Sequence, residues 1–90
     1  MIGEEKLKNL GFKVEYNSHL VDKYVLRLID GYDITLTNSL NWRIYVRKNQ
    51  VGEVNSQGVK TMSEVIKYII EQSIIVGRQN FKNELNKLLK

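Results

Sequence analysis

The strongest constraint on the fold is a two-residue alternation of apolar and polar side chains, which recurs in three runs between residues 24 and 48. The three runs and the two segments that separate them are residues 24–29, 30–32, 33–37, 38–41 and 42–48. This period is typical of strands with one buried face, and both separating segments are rich in residues that form turns. Connections of three or four residues can join only antiparallel neighbours. The sequence therefore predicts an antiparallel meander.

Helices are predicted at both ends of this meander. Residues 4–10 have helical spacing, Gly11 is placed to end the helix in a left-handed conformation, and residues 12–16 alternate as a strand. Thr61 opens a capping-box pattern that ends at Glu64, so a longer helix should begin directly after Thr61. The predicted fold class is α+β in the order α-β-β-β-β-α, with a long C-terminal helix covering one face of the sheet.

The turn between the first two runs decides which side chains face each other. A two-residue turn would set Arg27 opposite Ile34 and put a charge among apolar side chains. A three-residue loop instead sets Leu28 opposite Ile34. The next inward pair is then Leu26 and Leu36, so this register is the one we expect. Continued into the third run, it predicts a core face made of Leu26, Leu28, Ile34, Leu36, Trp42, Ile44 and Val46.

The opposite face of the predicted sheet is polar and carries a candidate binding row. Its candidate residues are Arg27, Arg43, Tyr45 and Arg47, with Arg27 expected beside Thr35. An aromatic ring between guanidinium groups can stack a nucleobase while the cations neutralise phosphates. The same composition is common on a solvated antiparallel face, and it also suits a protein partner. These four residues are our candidates for a nucleic-acid-binding site.

The C-terminal third contains two apolar sets that one straight helix cannot bury on one surface. The first set is Met62, Val65, Ile66, Ile69, Ser73 and Val76, and the second is Phe81, Leu85, Leu88 and Leu89. At 100° per residue the second set is centred roughly 100° round the helix from the first. Either the helix breaks near Gly77 and folds back, or it continues and offers its end to a partner.

An apolar surface at the end of the C-terminal helix predicts a small non-enzymatic interaction module. Its protein-binding residues would be Phe81, Leu85, Leu88 and Leu89, which would contact another protein or a second copy of the chain. Binding of nucleic acid through the polar sheet face is the alternative. An enzyme is the third interpretation, since an active site can be assembled from residues that one sequence does not group together. We expect no cofactor and no small-molecule substrate.

Few residues suggest catalytic or metal chemistry. The chain has no cysteine, and its one histidine, His19, lies in a polar segment without a second ligand nearby, so no catalytic residue and no metal site is predicted. Asp30 and Asp33 flank a turn, and aspartate next to glycine is more typical of turns than of metal sites.

Residues 52–61 come close to a phosphate-binding loop but miss its spacing. One residue too many separates the two glycines, and another separates the second glycine from Lys60. In our interpretation residues 51–54 form a short edge strand and residues 55–58 form a loop. Lys60 and Thr61, at the predicted start of the helix, are kept as a weak anion-binding site.

Length and composition allow one small domain. Ninety residues predict a single α+β domain over residues 1–90, and the net charge of +4 permits nucleic-acid or acidic protein partners. No apolar run approaches the ~20 residues of a spanning helix, so we expect a cytoplasmic protein without a membrane partner. Lysine, asparagine and isoleucine have AT-rich codons, and a phage or prophage accessory protein is one interpretation of their abundance.

Overall fold

The computed structural model describes residues 2–16 and 22–75. The elements in chain order are α1 (Glu4–Asn9), β1 (Lys13–Tyr16), β2 (Asp22–Ile29), β3 (Tyr32–Asn38), β4 (Trp42–Lys48), β5 (Gly52–Gly58) and α2 (Met62–Ile75). The five strands form one antiparallel sheet in the order β1-β2-β3-β4-β5. The predicted α+β meander is confirmed, and the fifth strand is longer than its sequence pattern suggested.

The first helix ends at Gly11, as its position in the sequence predicts. Gly11 has a φ of +104°, and its amide donates to the carbonyl of Lys8 while the amide of Phe12 donates to that of Leu7. This pair of hydrogen bonds is the Schellman ending, which satisfies carbonyls that a helix end leaves unpaired. The turn brings Leu7 and Phe12 together in the core. A Cβ on Gly11 would also lie 3.3 Å from Leu26 Cδ1.

The predicted register between β2 and β3 is wrong by one inward pair. Leu26, rather than Leu28, lies opposite Ile34, and Arg27 lies opposite Asp33. The reason is a bulge between Arg27 and Ile29, which adds one residue to β2 before a two-residue turn. The extra residue restores the alternation that the tight turn alone would have broken. Leu26 and Leu28 therefore both remain on the buried face.

The predicted loop at residues 55–58 is also wrong, because these residues continue β5. A second bulge interrupts the pairing between Ile44 and Val46 of β4, and Asn55 has a φ of +55° there. Pairing then resumes, with Gln57 opposite Ile44. Since residues 52–58 form a strand, the stretch that resembles a phosphate-binding loop has no loop in which to enclose a phosphate.

The second helix begins as the capping-box pattern predicts. The hydroxyl of Thr61 accepts a hydrogen bond from the amide of Glu64 at 3.2 Å and donates to its carboxylate at 3.4 Å. Val65 and Ile69 are fully buried on the side of α2 that packs on the sheet. Neither of the two described helices is long and apolar enough to cross a membrane.

The core lies between the two helices and one face of the sheet. Its buried apolar residues are Ile2, Leu7, Leu10, Phe12, Tyr24, Leu26, Leu28, Ile34, Leu36, Ile44, Val46, Val59, Val65, Tyr68 and Ile69. Six of the seven predicted core-face residues are in this set. The seventh, Trp42, is partly buried and packs against it. The predicted core face is therefore confirmed, and we call it the covered face.

Candidate functional site

The other side of the sheet, which we call the open face, lies opposite both described helices. The paired strands place on it Lys13, Glu15, Lys23, Val25, Arg27, Asp33, Thr35, Thr37, Arg43, Tyr45, Arg47 and Glu53. Among these described residues five are cations and three are carboxylates. The open face therefore has an excess of two positive charges.

Two of the five cations are already paired within the face. Lys23 Nζ lies 3.6 Å from a carboxylate oxygen of Glu15, and Arg27 Nε lies 3.1 Å from Asp33 Oδ1. Arg27 was predicted beside Thr35, but the bulge in β2 puts Val25 there and sets Arg27 against Asp33. Arg27 is thus the member of the predicted row that forms an ion pair with a neighbouring strand.

The other three predicted residues form a row along β4. Arg43, Tyr45 and Arg47 alternate with the buried residues of the strand, and both arginines are exposed. Tyr45 is half-buried and lies opposite Thr35, whose side chain is only 1% exposed. The row therefore has a semi-buried aromatic centre with a guanidinium group on either side.

The two ends of this row differ in charge. Arg47 lies opposite Asp33 on one neighbouring strand and opposite Glu53 on the other. Arg43 lies opposite Thr37 and Gly58, and its guanidinium donates a hydrogen bond to the hydroxyl of Ser56. Carboxylates close to Arg47 reduce the local positive potential, whereas no cross-strand partner of Arg43 is acidic. The local positive potential is therefore higher at Arg43 than at Arg47.

An open groove with a volume of about 1100 Å³ adjoins the Arg43 end of the row. It lies between the β3–β4 turn and the start of α2, and it is lined by Asn38, Ser39, Leu40, Asn41, Trp42, Arg43, Gly58, Val59, Lys60 and Glu64. Leu40 is 94% exposed and adds apolar surface to this lining. The one carboxylate in the lining, that of Glu64, accepts the hydroxyl of Thr61. Sequence reasoning did not find this groove, because its residues come from two distant segments.

A polar network joins α2 to the bulge in β5. The hydroxyl of Tyr68 donates to the carbonyl of Asn55 at 2.7 Å, and the side-chain amide of Asn55 donates to Gln72 Oε1 at 3.4 Å. Burial raises the pKa of Tyr68 to about 12, and a backbone hydrogen bond from Val46 acts in the opposite direction. This network holds the strand segment that carries Ser56, the hydrogen-bond partner of Arg43. The sequence contained one signal of this network: Tyr68 and Gln72 are polar residues four positions apart in a helix that is otherwise rich in isoleucine.

The remaining predicted sites are placed only in part. Lys60 and Thr61 are exposed immediately before α2, and the hydroxyl of Thr61 is engaged by Glu64. No group of three histidine, cysteine, aspartate or glutamate side chains within residues 2–16 and 22–75 could hold a metal ion. The histidine and the apolar C-terminal set, His19, Phe81, Leu85, Leu88 and Leu89, lie outside the described residues, as do Val76 and Gly77.

Comparison with known proteins finds no matching family model, no matching curated protein and no matching solved structure.

Proposed function

We propose that this chain is a small non-enzymatic binding module that holds nucleic acid on the open face of its sheet. The observation that carries the proposal is the row of Arg43, Tyr45 and Arg47 on the face opposite the described helices. Guanidinium groups neutralise phosphates, and an aromatic ring between them can stack on a base.

The distribution of charge supports this ligand. Lys13, Arg43 and Arg47 form no ion pair with another described residue, so each can contact a phosphate, and the potential is lowest at Arg47 because Asp33 and Glu53 lie opposite it. The net charge of the whole chain, +4, has the same sign as the excess on the open face. Neutralising three phosphates of a single strand predicts a slope of about −2 in a plot of log affinity against log salt concentration.

Fluorescence anisotropy of labelled DNA and RNA, single-stranded and duplex, at low and moderate salt tests the proposal. We expect salt-sensitive binding by the wild-type chain. Arg43→Glu should weaken it more than 10-fold, and Arg47→Glu should weaken it less, because Asp33 and Glu53 already offset the charge of Arg47.

The matched control is Lys67→Glu, which makes the same charge change at an exposed position on α2. This variant should reduce affinity only slightly, through the net charge. Absence of binding at low salt would contradict the proposal, as would equal losses in Arg43→Glu and Lys67→Glu, because either result would deny the open face a specific role.

A second candidate function is a protein contact near the end of α2. Ile74 and Ile75 are 59% and 67% exposed there, and they precede the predicted protein-binding residues in the chain. Adjacent exposed apolar side chains are typical of contact surfaces. Light scattering tests this candidate: a dimer that Ile75→Asp converts to a monomer, and that Val51→Asp at a distant turn leaves unchanged, is the expected result. A wild-type monomer at high concentration would exclude self-association.

A further inference from the structure

The groove beside Arg43 bears on whether the chain binds single-stranded or duplex nucleic acid. It opens next to the row on β4 and shares Arg43 with it. Trp42, the neighbour of Arg43 on the covered side of the strand, also lines the groove. A nucleic-acid chain bound along the open face would therefore reach this groove at the end of the sheet.

The ring of Trp42, one of the groove residues, is held in place from the core side. The ring of Trp42 lies 5.8 Å from that of Tyr24 at an interplanar angle of 39°, and Tyr24 is buried in the core. Trp42 itself is only partly buried. A partly exposed ring that is fixed on its inner side can stack a base without losing much conformational freedom.

The rest of the lining suits a base with its attached phosphate. The exposed side chain of Leu40 adds apolar surface to the groove, and the amides of Asn38 and Asn41 offer both hydrogen-bond donors and acceptors to a base edge. Arg43 and Lys60 supply two positive charges. The single carboxylate of the lining, that of Glu64, forms no ion pair with Arg43 or Lys60, so both cations can contact an anionic ligand.

We propose that this groove receives one unpaired nucleobase through stacking on Trp42, so that the chain prefers single-stranded nucleic acid to duplex. The inference rests on the proposed function of the open face and adds the class of ligand. In a duplex the bases are stacked and paired, so their faces are unavailable to a protein ring. A single strand can turn one base out, while its backbone follows the cations of the open face.

Intrinsic fluorescence gives a direct readout, because Trp42 is the only tryptophan in the chain. Titration with an unlabelled oligothymidylate should quench it, whereas a duplex of equal length, inorganic polyphosphate and polyglutamate should not. Leu40→Asp, at 94% exposure, should weaken single-strand binding measured by anisotropy about 5-fold, because it removes apolar surface from the groove and adds a negative charge near the phosphates. The matched control is Val51→Asp, another exposed apolar residue in a turn at the opposite end of β4, which should have little effect.

The outcomes separate this inference from the proposed function. Salt-sensitive binding without quenching, with equal affinities for Leu40→Asp and Val51→Asp, would overturn the groove and leave the open face intact. Equal quenching by polyglutamate would also overturn it, in favour of an acidic peptide. Failure of every nucleic acid to bind at low salt would remove both proposals together. Circular dichroism of each variant verifies that its fold is retained.

Discussion

Successive residues of β4 belong to two surfaces with different physical roles. On the covered face Ile44 is fully buried among apolar neighbours, while Arg43, one residue earlier, is exposed on the open face. The covered face gains its free energy by removing apolar area from water, and its side chains are closely surrounded. The open face contributes little apolar burial and retains charge. This difference indicates that substitutions on the two faces should affect different measurements.

The largest expected effect is on the covered face. Ile44→Ala should lower the free energy of unfolding by about 2–5 kcal/mol, because it removes buried methylenes and leaves a cavity. The adjacent substitution Arg43→Ala should change it by less than about 0.5 kcal/mol. Urea denaturation of both variants measures the contrast. Similar losses in the two would mean that the open face is also part of the core.

Thr35 offers a sharper version of the comparison, because it lies on the open face and yet is only 1% exposed. Thr35→Glu should destabilise the chain by about 2 kcal/mol, since a carboxylate there would lose solvent. Thr37→Glu, on the same strand and face, should cost less because that position is half-buried and lies opposite Arg43. If chemical denaturation gave equal midpoints for the two variants, the open face would be uniformly solvated.

The smallest expected loss of stability comes from the hydrogen-bond network between α2 and β5. Tyr68→Phe should cost about 1–2 kcal/mol, because it leaves the carbonyl of Asn55 without its donor. In the folded chain the pKa of Tyr68 is raised to about 12, above its ordinary value of about 10. The stability linked to this shift is therefore complete below pH ~10 and is lost as the pH rises through 12.

A comparison of wild type and Tyr68→Phe isolates this pH dependence, because the lysines titrate in both chains over the same range. Between pH 10 and 12 the wild-type free energy of unfolding should fall more steeply than that of the variant. Parallel curves in urea denaturation at several pH values would show that burial does not raise the pKa of Tyr68 in the folded chain.

Much of the fold could be predicted because its signals are local. Alternation identified the strands, Gly11 marked the end of α1, and Thr61 with Glu64 marked the start of α2. The bulges at Leu28 and Asn55 escaped prediction, since each depends on which strand lies opposite. Of the predicted row, three residues lie together as expected, while Arg27 is displaced by the first bulge. The predicted protein-binding set lies outside the described residues.

The sequence by itself determined the class of fold, the strand pattern and which side chains of β4 are buried, because a strand's period of two sorts them without reference to the rest of the chain. Only the tertiary structure decided the pairing of Arg27 with Asp33 and the groove lined by Trp42. It also decided that Arg47, unlike Arg43, lies opposite acidic residues. These features join segments far apart in sequence, and a one-residue bulge changes the pairing beyond it.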